Sequence, residues 1–351
     1  MSQIDDMIPA PRGAGRSGVS RRTAIMALAS GAGLAAAPAL VSSTLVTSAL
    51  AQAQWPNQPI KVIVPFGAGG GGDLMARIAA EKIGDKLGQH LFIENQPAAG
   101  GITAARSVLS APADGNTLAL FSNGTAISVG LFKQLPFDPI KQFRPISTIA
   151  FFDFIFVTSA ALPYKTLGDV LKAAKENPGK LNIGTIAIGS TQHLSAELFK
   201  AQANVDLRVV NFRTTPDLML AAMRKDVDVI IDAYASLRSN VEDGSLRALA
   251  TSSATRTPWM PDLPTAQEAG VPNFDVRSWN AFYVRAETPQ PIVDRLNAIM
   301  REVLAEADTK ARILALGAEA RGGTPAETLK RLTDDITKWS AVIDKAGIEK
   351  R

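Results

Sequence analysis

The sequence predicts an α/β protein in which parallel sheets carry helices on both faces. Short β-branched runs alternate with segments whose apolar residues recur at helical spacing, and Gly, Pro, Asn and Asp stand between them. The 351 residues are 46% hydrophobic and 20% charged, a globular composition that suffices for one large or two medium domains. A disordered chain would have fewer apolar and more charged residues.

The first predicted elements are three strands and two helices. A β-branched run at 60–66 predicts a buried strand that ends at a glycine cluster. Asp73, a favoured N-cap, precedes apolar residues at helical spacing, and Gly88 marks the end of that helix. Strands are predicted at 90–94 and 117–121, with a helix at 102–109 and one or two strands within the apolar stretch 146–158.

The alternation restarts after Leu162 and Pro163. The predicted helices are 166–175, 191–203 and 216–223, and the predicted strands are 181–184, 208–211, 227–231 and 247–251. An apolar strand at 278–284 precedes three helices, the first beginning at Thr288-Pro289 and the last at Thr324 with a capping-box spacing. This order allows two lobes, and the pattern leaves open which lobe the helical tail joins.

The composition excludes several classes of function. The chain has no Cys, which excludes a disulfide scaffold, a thiolate metal site, a cysteine nucleophile and a lipoprotein anchor. The net charge is +4, of which the four Arg and two Asp within residues 1–53 supply +2. With 6% aromatic residues, the chain is too weakly basic to predict a nucleic-acid partner.

Residues 1–53 predict a cleaved export signal. The arginine pair 21–22 precedes an uncharged stretch, 23–60, that is rich in Ala, Gly, Ser and Thr and contains an Ala-x-Ala site ending at Ala51 or Ala53. The paired arginines resemble a twin-arginine signal, but Ala24 stands where Phe is usual, so Sec export stays an alternative. A retained membrane anchor is a further alternative. We expect a mature chain in the periplasm.

A glycine-rich loop between the first predicted strand and helix is the strongest chemical feature. It consists of Phe66, Gly67, Ala68, Gly69, Gly70, Gly71, Gly72 and Asp73. Backbone N–H groups of residues without a Cβ atom can approach a bound anion closely, and the helix N-terminus adds unpaired donors and positive dipole character. The loop predicts a site for phosphate or carboxylate, and a glycine-rich turn without a ligand is the alternative.

The same loop allows a second class of function. Gly67, Gly69 and Gly72 have the Gly-x-Gly-x-x-Gly spacing of a dinucleotide site, and Glu94 follows about 20 residues later. This pattern is typical of an NAD(P)-dependent oxidoreductase, which is the alternative function. A glycine-dense run matches many spacings by chance, however, and no acid/base pair supports a dehydrogenase.

Segments along nearly the whole mature chain resemble the periplasmic solute receptors of tripartite tricarboxylate transporters, the Bug-type receptors. The glycine loop resembles their Pro-Phe-x-x-Gly-Gly-x-Thr/Ser-Asp element. Weaker matches follow in the family's order at 55–60, 94–101, 114–118, 135–139, 178–181, 189–194, 246–250 and 263–270. The chain departs from the family at Gly72, where Thr or Ser is usual, at 211–215 in place of Pro-Tyr-Lys-Gly, and at Lys225-Asp226 in place of a pair of Gly or Gly-Gln.

The resemblance implies a two-lobed Venus-flytrap fold with a ligand cleft between the lobes. Lobe 1 would span 54–156, lobe 2 157–278, and a return strand with C-terminal helices packing on lobe 1 279–351, with chain crossings near Val157 and Trp279. The implied ligand is a small carboxylate, delivered to the transporter's membrane components or reported to a sensor kinase. The receptor is expected to be a monomer without enzyme activity, cofactor, metal or nucleic-acid partner.

The candidate ligand contacts lie at predicted strand ends and helix starts. They are Phe66, Ala68, Gly69, Gly70, Gly71, Gly72, Asp73, Ser122, Asn123, Ser190, Thr191, His193, Asn211 and Asp232. The sequence leaves structural alternatives for several of them: core packing for Phe66, and helix capping for Asp73 and Ser190.

Two side chains, His193 and Arg213, have two interpretations each. His193 is as compatible with a buried structural role as with a ligand contact, and Arg213 is either a partner of a distal carboxylate or a solvated arginine. Asp232 would select an amine or hydroxyl of the ligand. A hydrolase is disfavoured because neither Ser122 nor Ser190 lies in Gly-x-Ser-x-Gly.

Overall fold

The structure is a computed structural model that describes residues 55–351. The predicted export signal and its cleavage site lie outside these residues. Within the described part, no helix is both long enough and apolar enough to cross a membrane.

The described chain opens with three strands that alternate with three helices. Strands β1, β2 and β3 are Ile60–Val64, Leu91–Asn95 and Thr117–Ser122. Helices α1, α2 and α3 are Gly71–Leu87, Ile102–Ser110 and Asn123–Leu131. β1 lies between β2 and β3 and pairs in parallel with both, so the carboxyl ends of the three strands meet at one edge.

A long strand and a second alternating part follow. β4 is Phe143–Ser159, and β5, β6, β7 and β8 are Asn182–Thr185, Arg208–Asn211, Val229–Ala233 and Leu246–Thr251. Helices α4, α5, α6 and α7 are Leu167–Glu176, Thr191–Ala203, Thr215–Arg224 and Tyr234–Glu242. β5 lies between β6 and β7 and pairs in parallel with both, which repeats the arrangement of the first part.

The chain ends with two strands and three helices. β9 and β10 are Arg277–Arg285 and Ala318–Ala320, and α8, α9 and α10 are Gln290–Ala305, Ala307–Leu314 and Pro325–Lys345. The side chain of Trp339 in α10 donates a hydrogen bond to Asn123 in α3, and Trp279 in β9 donates one to Asp335 in α10. The last helix is therefore fixed to β9 and α3.

β4 connects two sheets. Up to Asp153 it pairs antiparallel with β9, and from Phe154 onward it pairs antiparallel with β7 and β8. The strand order through both sheets is β2-β1-β3-β9-β4-β7-β5-β6. Arg277 forms a 2.8 Å ion pair with Asp153 where the pairing changes, and burial raises the pKa of Asp153 against the opposing effect of Arg277.

Each sheet packs over its own aromatic cluster. In the first sheet, the Phe121 ring lies 4.4 Å from that of Tyr283 and 4.8 Å from that of Phe143, measured between ring centroids. In the second sheet, Phe156 contacts Phe199 and Phe274 at 5.0 and 5.5 Å. Burial of such rings contributes favourably to the folding of each sheet, and a continuous apolar core that includes Val62 of β1 and Phe156 of β4 spans both.

The structure corrects several expectations from the sequence. The sheets are mixed, because β4 and β9 run antiparallel to their neighbours. The apolar stretch around 146–158 belongs to one strand, which is one of the two alternatives that the sequence left open, while α3, α7 and β10 were not predicted. The first helix begins at Gly71 after Gly70, so Asp73 is its third residue and not its N-cap. The lobe boundaries stay a prediction.

Candidate functional site

A narrow cleft lies at the carboxyl ends of the parallel strands of both sheets, where ligands bind in open α/β folds. The first part of the chain contributes Pro65, Phe66, Gly67, Gly70, Gly71, Gly72, Pro97 and Ser122. The second part contributes Ile186, Ala187, Thr191, Gln192, Arg213, Thr214, Thr215 and Ala233, while Phe152, Phe154, Ser278 and Asn280 come from β4 and β9. An adjoining chamber shares Pro65, Phe66, Ser122 and Ala187.

Six helices, one after each parallel strand of the two sheets, begin at this cleft or, in the case of α2, at the adjoining chamber. Their N-cap residues are Gly70, Gly101, Ser122, Ser190, Thr214 and Ala233. The first N–H groups of a helix have no partner within it, and the helix dipole adds partial positive charge there. The convergence of six such ends makes the cleft favourable for an anion.

Backbone donors remain available at two of these ends. Within residues 55–351, the N–H groups of Gly71 and Gly72 have no hydrogen-bond acceptor, and neither do those of Thr191 and Gln192. All four residues line the cleft. Two pairs of N–H groups, one pair from each sheet's helices, can therefore hold a carboxylate or another anion.

The Asp73 side chain holds the glycine loop in its conformation from outside the cleft. Its carboxylate accepts hydrogen bonds from the Gly69 N–H and the Asn95 amide at 2.9 Å each, and Arg77 forms a 2.9 Å ion pair with it. Asn95 also donates to the Phe66 carbonyl. These contacts satisfy Asp73 without a ligand, so Asp73 stabilises the loop conformation and does not line the cleft.

Ser122 and Asn123 lie at the junction of β3 and α3. The Ser122 hydroxyl accepts a hydrogen bond from the Gly124 N–H at 3.0 Å as the N-cap of α3. Asn123 is buried and pairs with the Trp339 indole N–H and the Arg277 carbonyl. Ser122 therefore lines the cleft, while Asn123 joins α3 to α10 and β9.

The beginning of α5 contains three predicted contacts. Ser190 is the N-cap and accepts a 3.1 Å hydrogen bond from the His193 N–H, while Thr191 lines the cleft. His193 is buried, and its Nδ1 has no partner within the described residues. Burial lowers the pKa of His193 to about 4, so this side chain is neutral at pH 7.

Asp232 lies beneath the second sheet's side of the cleft and is wholly buried. Its Oδ1 accepts hydrogen bonds from Gln192 Nε2 and the Ala233 N–H, and its Oδ2 accepts one from the Thr215 hydroxyl, each at 2.7 Å. Burial raises the pKa of Asp232, and these hydrogen bonds oppose the shift. Asp232 does not line the cleft but orients Gln192 and Thr215, which do.

Loops from the two sheets approach each other closely across the cleft. A Cβ atom at Gly67 would lie 2.6 Å from Cγ2 of Thr214, and one at Gly71 would lie 2.7 Å from Cβ of Ala233. Real Cβ atoms essentially never come this close to another atom. The Gly100 N–H also donates a 3.0 Å hydrogen bond to the Ile188 carbonyl. Glycine therefore allows a contact between the loops that a side chain would prevent.

The structure brings together seven of the predicted contact residues at the cleft and its adjoining chamber: Phe66, Gly70, Gly71, Gly72, Ser122, Ser190 and Thr191. The other seven do not line either space: Ala68, Gly69, Asp73, Asn123, His193, Asn211 and Asp232. Asn211 is exposed and accepts a hydrogen bond from Thr185. Arg213, whose role the sequence left open, is the one charged residue of the cleft lining in the described chain.

Sequence reasoning missed Gln192, Ser278 and Asn280 as cleft residues. Ser278 and Asn280 are buried polar residues on one face of strand β9, whose other buried residues are aliphatic or aromatic. Such polar positions in a buried strand are a signal that the sequence contains. No group of three or more potential metal ligands occurs among residues 55–351.

Comparisons with known proteins identify relatives of the chain. The model of the tripartite tricarboxylate transporter family receptor matches residues 75–348. The structure of the periplasmic binding protein BugD is 28% identical, with a TM-score of 0.81 over 85% of this chain and 100% of its own. A Rhodopseudomonas palustris protein with adipate is 30% identical, with a TM-score of 0.80 over 84% of this chain and 99% of its own. MatC from Rhodopseudomonas palustris, with bound malate, is 30% identical, with a TM-score of 0.77 over 82% of this chain and 100% of its own.

These similarities confirm the predicted fold class, a two-lobed α/β fold of the periplasmic-binding-protein type. They do not favour the oxidoreductase alternative. The structure also gives a physical reason against a dinucleotide site. Glu94, the acid that the dinucleotide pattern would place on a ribose, forms a 2.7 Å ion pair with Lys61 and accepts a hydrogen bond from Gln96.

Proposed function

The chain belongs to the tripartite tricarboxylate transporter receptor family, and we propose that it captures a small carboxylate in the periplasm by closing its two lobes. It then delivers this solute to the transporter's membrane components or reports it to a sensor kinase. The signal predicted at 1–53 would export the chain, by a twin-arginine or Sec route. The receptor acts as a monomer and carries out no reaction.

The observation that carries this proposal is the convergence of six helix N-termini on one cleft and its adjoining chamber. Gly71 and Gly72 on one side and Thr191 and Gln192 on the other offer unpaired N–H groups. A hydrogen bond to a charged group contributes about 1.5–3 kcal/mol, so a few of them hold a carboxylate without a cationic partner inside the cleft. Arg213 adds positive charge at the edge of the lining.

Contacts between loops of the two sheets support lobe closure. The approach of Gly67 to Thr214 and the Gly100–Ile188 hydrogen bond join elements of both sheets directly. A ligand that contacts N–H groups on both sides binds the closed arrangement better than the open one. This difference in affinity is what drives closure.

The hydrogen bonds of Asp232 determine what the second side of the cleft offers. Because the Gln192 amide nitrogen and the Thr215 hydroxyl proton are both directed to Asp232, the Gln192 Oε1 and the Thr215 oxygen remain as acceptors. These acceptors favour a ligand with a hydroxyl or an amine at that end. Asp232 therefore selects the ligand through Gln192 and Thr215.

The remaining predicted contacts have supporting roles in this proposal. Phe66 and Ser122 line the ligand site together with the glycine loop, and Ser190 caps the helix that supplies Thr191. Asp73 maintains the shape of the glycine loop through Gly69, and Asn123 joins α3 to α10 and β9. Ala68, His193 and Asn211 take no direct part in binding. The adipate and malate in the two Rhodopseudomonas palustris structures support small carboxylates as the ligand class.

Binding of defined probes tests the proposed function. The exported protein is titrated with succinate, malate, adipate and citrate, and separately with NADP, while the unfolding temperature and the heat of binding are recorded. At a ligand concentration of 100 Kd, binding to the native state alone adds about 2.7 kcal/mol of stability. At least one acid should raise the unfolding temperature and NADP should not. Stabilisation by NADP together with no response to any acid would refute the proposal.

A further inference from the structure

Asn280 lines the cleft from β9, the strand beside the part of β4 that belongs to the first sheet. In β9 it is paired with Ser122 of β3 on one side and with Ala150 of β4 on the other. Because directly opposite residues of neighbouring strands point to the same face of a sheet, Asn280 and Ser122 share the face that lines the cleft. The amide nitrogen of Asn280 would lie 3.3 Å from a Cβ atom at Gly72, which places it beside the N–H groups of the glycine loop.

Both polar atoms of this amide are buried and unpaired. Asn280 is 0% exposed, and neither its Oδ1 nor its Nδ2 has a hydrogen-bond partner within residues 55–351. Burying an amide without partners is costly, and buried polar groups are normally satisfied. Asn297 illustrates the usual case, because its amide donates to two backbone carbonyls at 2.8 Å. The unpaired amide of Asn280 points to a ligand group that pairs with it.

We propose that Asn280 is a ligand-binding residue that selects carboxylates carrying a hydrogen-bond donor next to the carboxylate, as in α-hydroxy and α-amino acids. This inference rests on the proposed function and names the class of acid within it. The amide nitrogen donates to a carboxylate oxygen, and the amide oxygen accepts from the neighbouring hydroxyl or ammonium group. A carboxylate alone cannot satisfy both atoms, because it only accepts.

The geometry places this pair of contacts where the anion would bind. The N–H groups of Gly71 and Gly72 and the Asn280 amide nitrogen are all donors at the same side of the cleft. The Asn280 amide oxygen, in contrast, requires a donor. An acid without such a donor leaves this oxygen buried and unpaired, and sites of this kind discriminate strongly against analogues that lack the matching group.

The test compares acids that differ by one group. Wild-type protein is titrated calorimetrically with succinate, malate and aspartate, which carry no donor, a hydroxyl and an ammonium group, and with the longer pair tricarballylate and citrate. The same titrations use Asn280→Leu, Asn280→Ala and the control Asn240→Ala. Asn240 lies in α7 outside the cleft lining and donates to Ser245, so its removal leaves the cleft unchanged. The two Asn280 variants differ in size, so an effect of crowding is separated from loss of the amide.

The expected result is a preference of at least about tenfold for malate or aspartate over succinate, or for citrate over tricarballylate, in wild type and in Asn240→Ala. In Asn280→Ala the preference should fall to within about threefold, mainly because the donor-bearing acid binds more weakly. Malate and aspartate distinguish the hydroxyl from the ammonium group as the donor.

Equal binding of the matched acids by wild type would overturn the inference and leave the proposed function intact. The same holds for a preference that survives in Asn280→Ala. If wild type binds none of these acids and no other carboxylate, the proposed function fails and the inference fails with it.

Discussion

Replacing Gly71 by Ala tests whether the two loops must touch when ligand is bound. Gly71 is the first residue of α1, and its added Cβ atom would lie 2.7 Å from the Cβ atom of Ala233 at the start of α7. Its backbone is helical, where Ala is favoured over Gly by about 1 kcal/mol, so the substitution does not disturb the helix itself. The perturbation is therefore confined to the contact between the two sides of the cleft.

The magnitude follows from the size of the overlap. Methyl carbons normally remain at least about 3.5 Å apart, so the two loops have to separate by close to an ångström. Overpacking of this kind costs about 1–3 kcal/mol. Since about 1.4 kcal/mol corresponds to a tenfold change in affinity, Gly71→Ala should weaken ligand binding roughly 5- to 150-fold. Separation of the loops relieves the overlap, so the stability of the ligand-free protein should change little.

The assay is calorimetric titration with whichever acid stabilises the wild type, together with urea unfolding without ligand. The matched control is Gly168→Ala in the first turn of α4, where the nearest atom to an added Cβ is 3.5 Å away, an ordinary contact. The control should bind with wild-type affinity. Wild-type affinity in Gly71→Ala would refute the need for loop contact. A loss of ligand-free stability as large as the loss of binding energy would show instead that the contact is permanent and that no closure occurs.

Three further substitutions have defined outcomes. Burial lowers the pKa of His193 to about 4 from the usual 6.5, so between these pH values the unfolded chain binds a proton that the native state does not. The free energy of unfolding should therefore fall by roughly 3 kcal/mol as the pH drops from 6.5 to 4. His193→Gln should remove this loss when urea unfolding is measured across that range. Trp339→Phe leaves the buried Asn123 Oδ1 without its donor and should cost about 1–3 kcal/mol of unfolding free energy at neutral pH. Asp232→Asn keeps an oxygen for Gln192 while removing a buried negative charge, so succinate should bind to the variant about 5- to 30-fold more tightly than to wild type at pH 7. Because burial raises the pKa of Asp232, the affinity of wild type for succinate should increase as the pH falls. Equal affinity of the two proteins at pH 7, with no change in wild-type affinity at lower pH, would contradict this role.

Elements with side-chain caps and a clear period could be predicted closely from the sequence. The helix Thr191–Ala203 and the strand Arg208–Asn211 have the predicted bounds. Ser190 supplies a capping hydroxyl that marks where the helix begins. Local sequence determines these features, because the caps and the apolar period act within a few residues.

Elements whose formation depends on tertiary contacts could not be predicted from the sequence. Helix Asn123–Leu131 is buried at polar and apolar positions alike, so it shows no amphipathic stripe. Helix Tyr234–Glu242 begins after Ala233, which offers no capping side chain. The antiparallel direction of β9 depends on how the chain returns from the second sheet, and no local pattern encodes that return.

In the candidate site, the backbone donors could be predicted from the sequence, whereas the side chains that discriminate between ligands could not. The glycine loop and the helix starts are visible in the sequence because glycine and capping residues mark them, and these features supply the N–H donors that any carboxylate can use. Such donors do not distinguish one acid from another. Discrimination requires side chains whose unused hydrogen-bonding atoms face the cleft, and these are the Gln192 and Thr215 oxygens left over by Asp232 and the unpaired amide of Asn280. Their partners come from elsewhere in the fold or from the ligand itself, so the ligand class depends on residues that only the three-dimensional arrangement reveals.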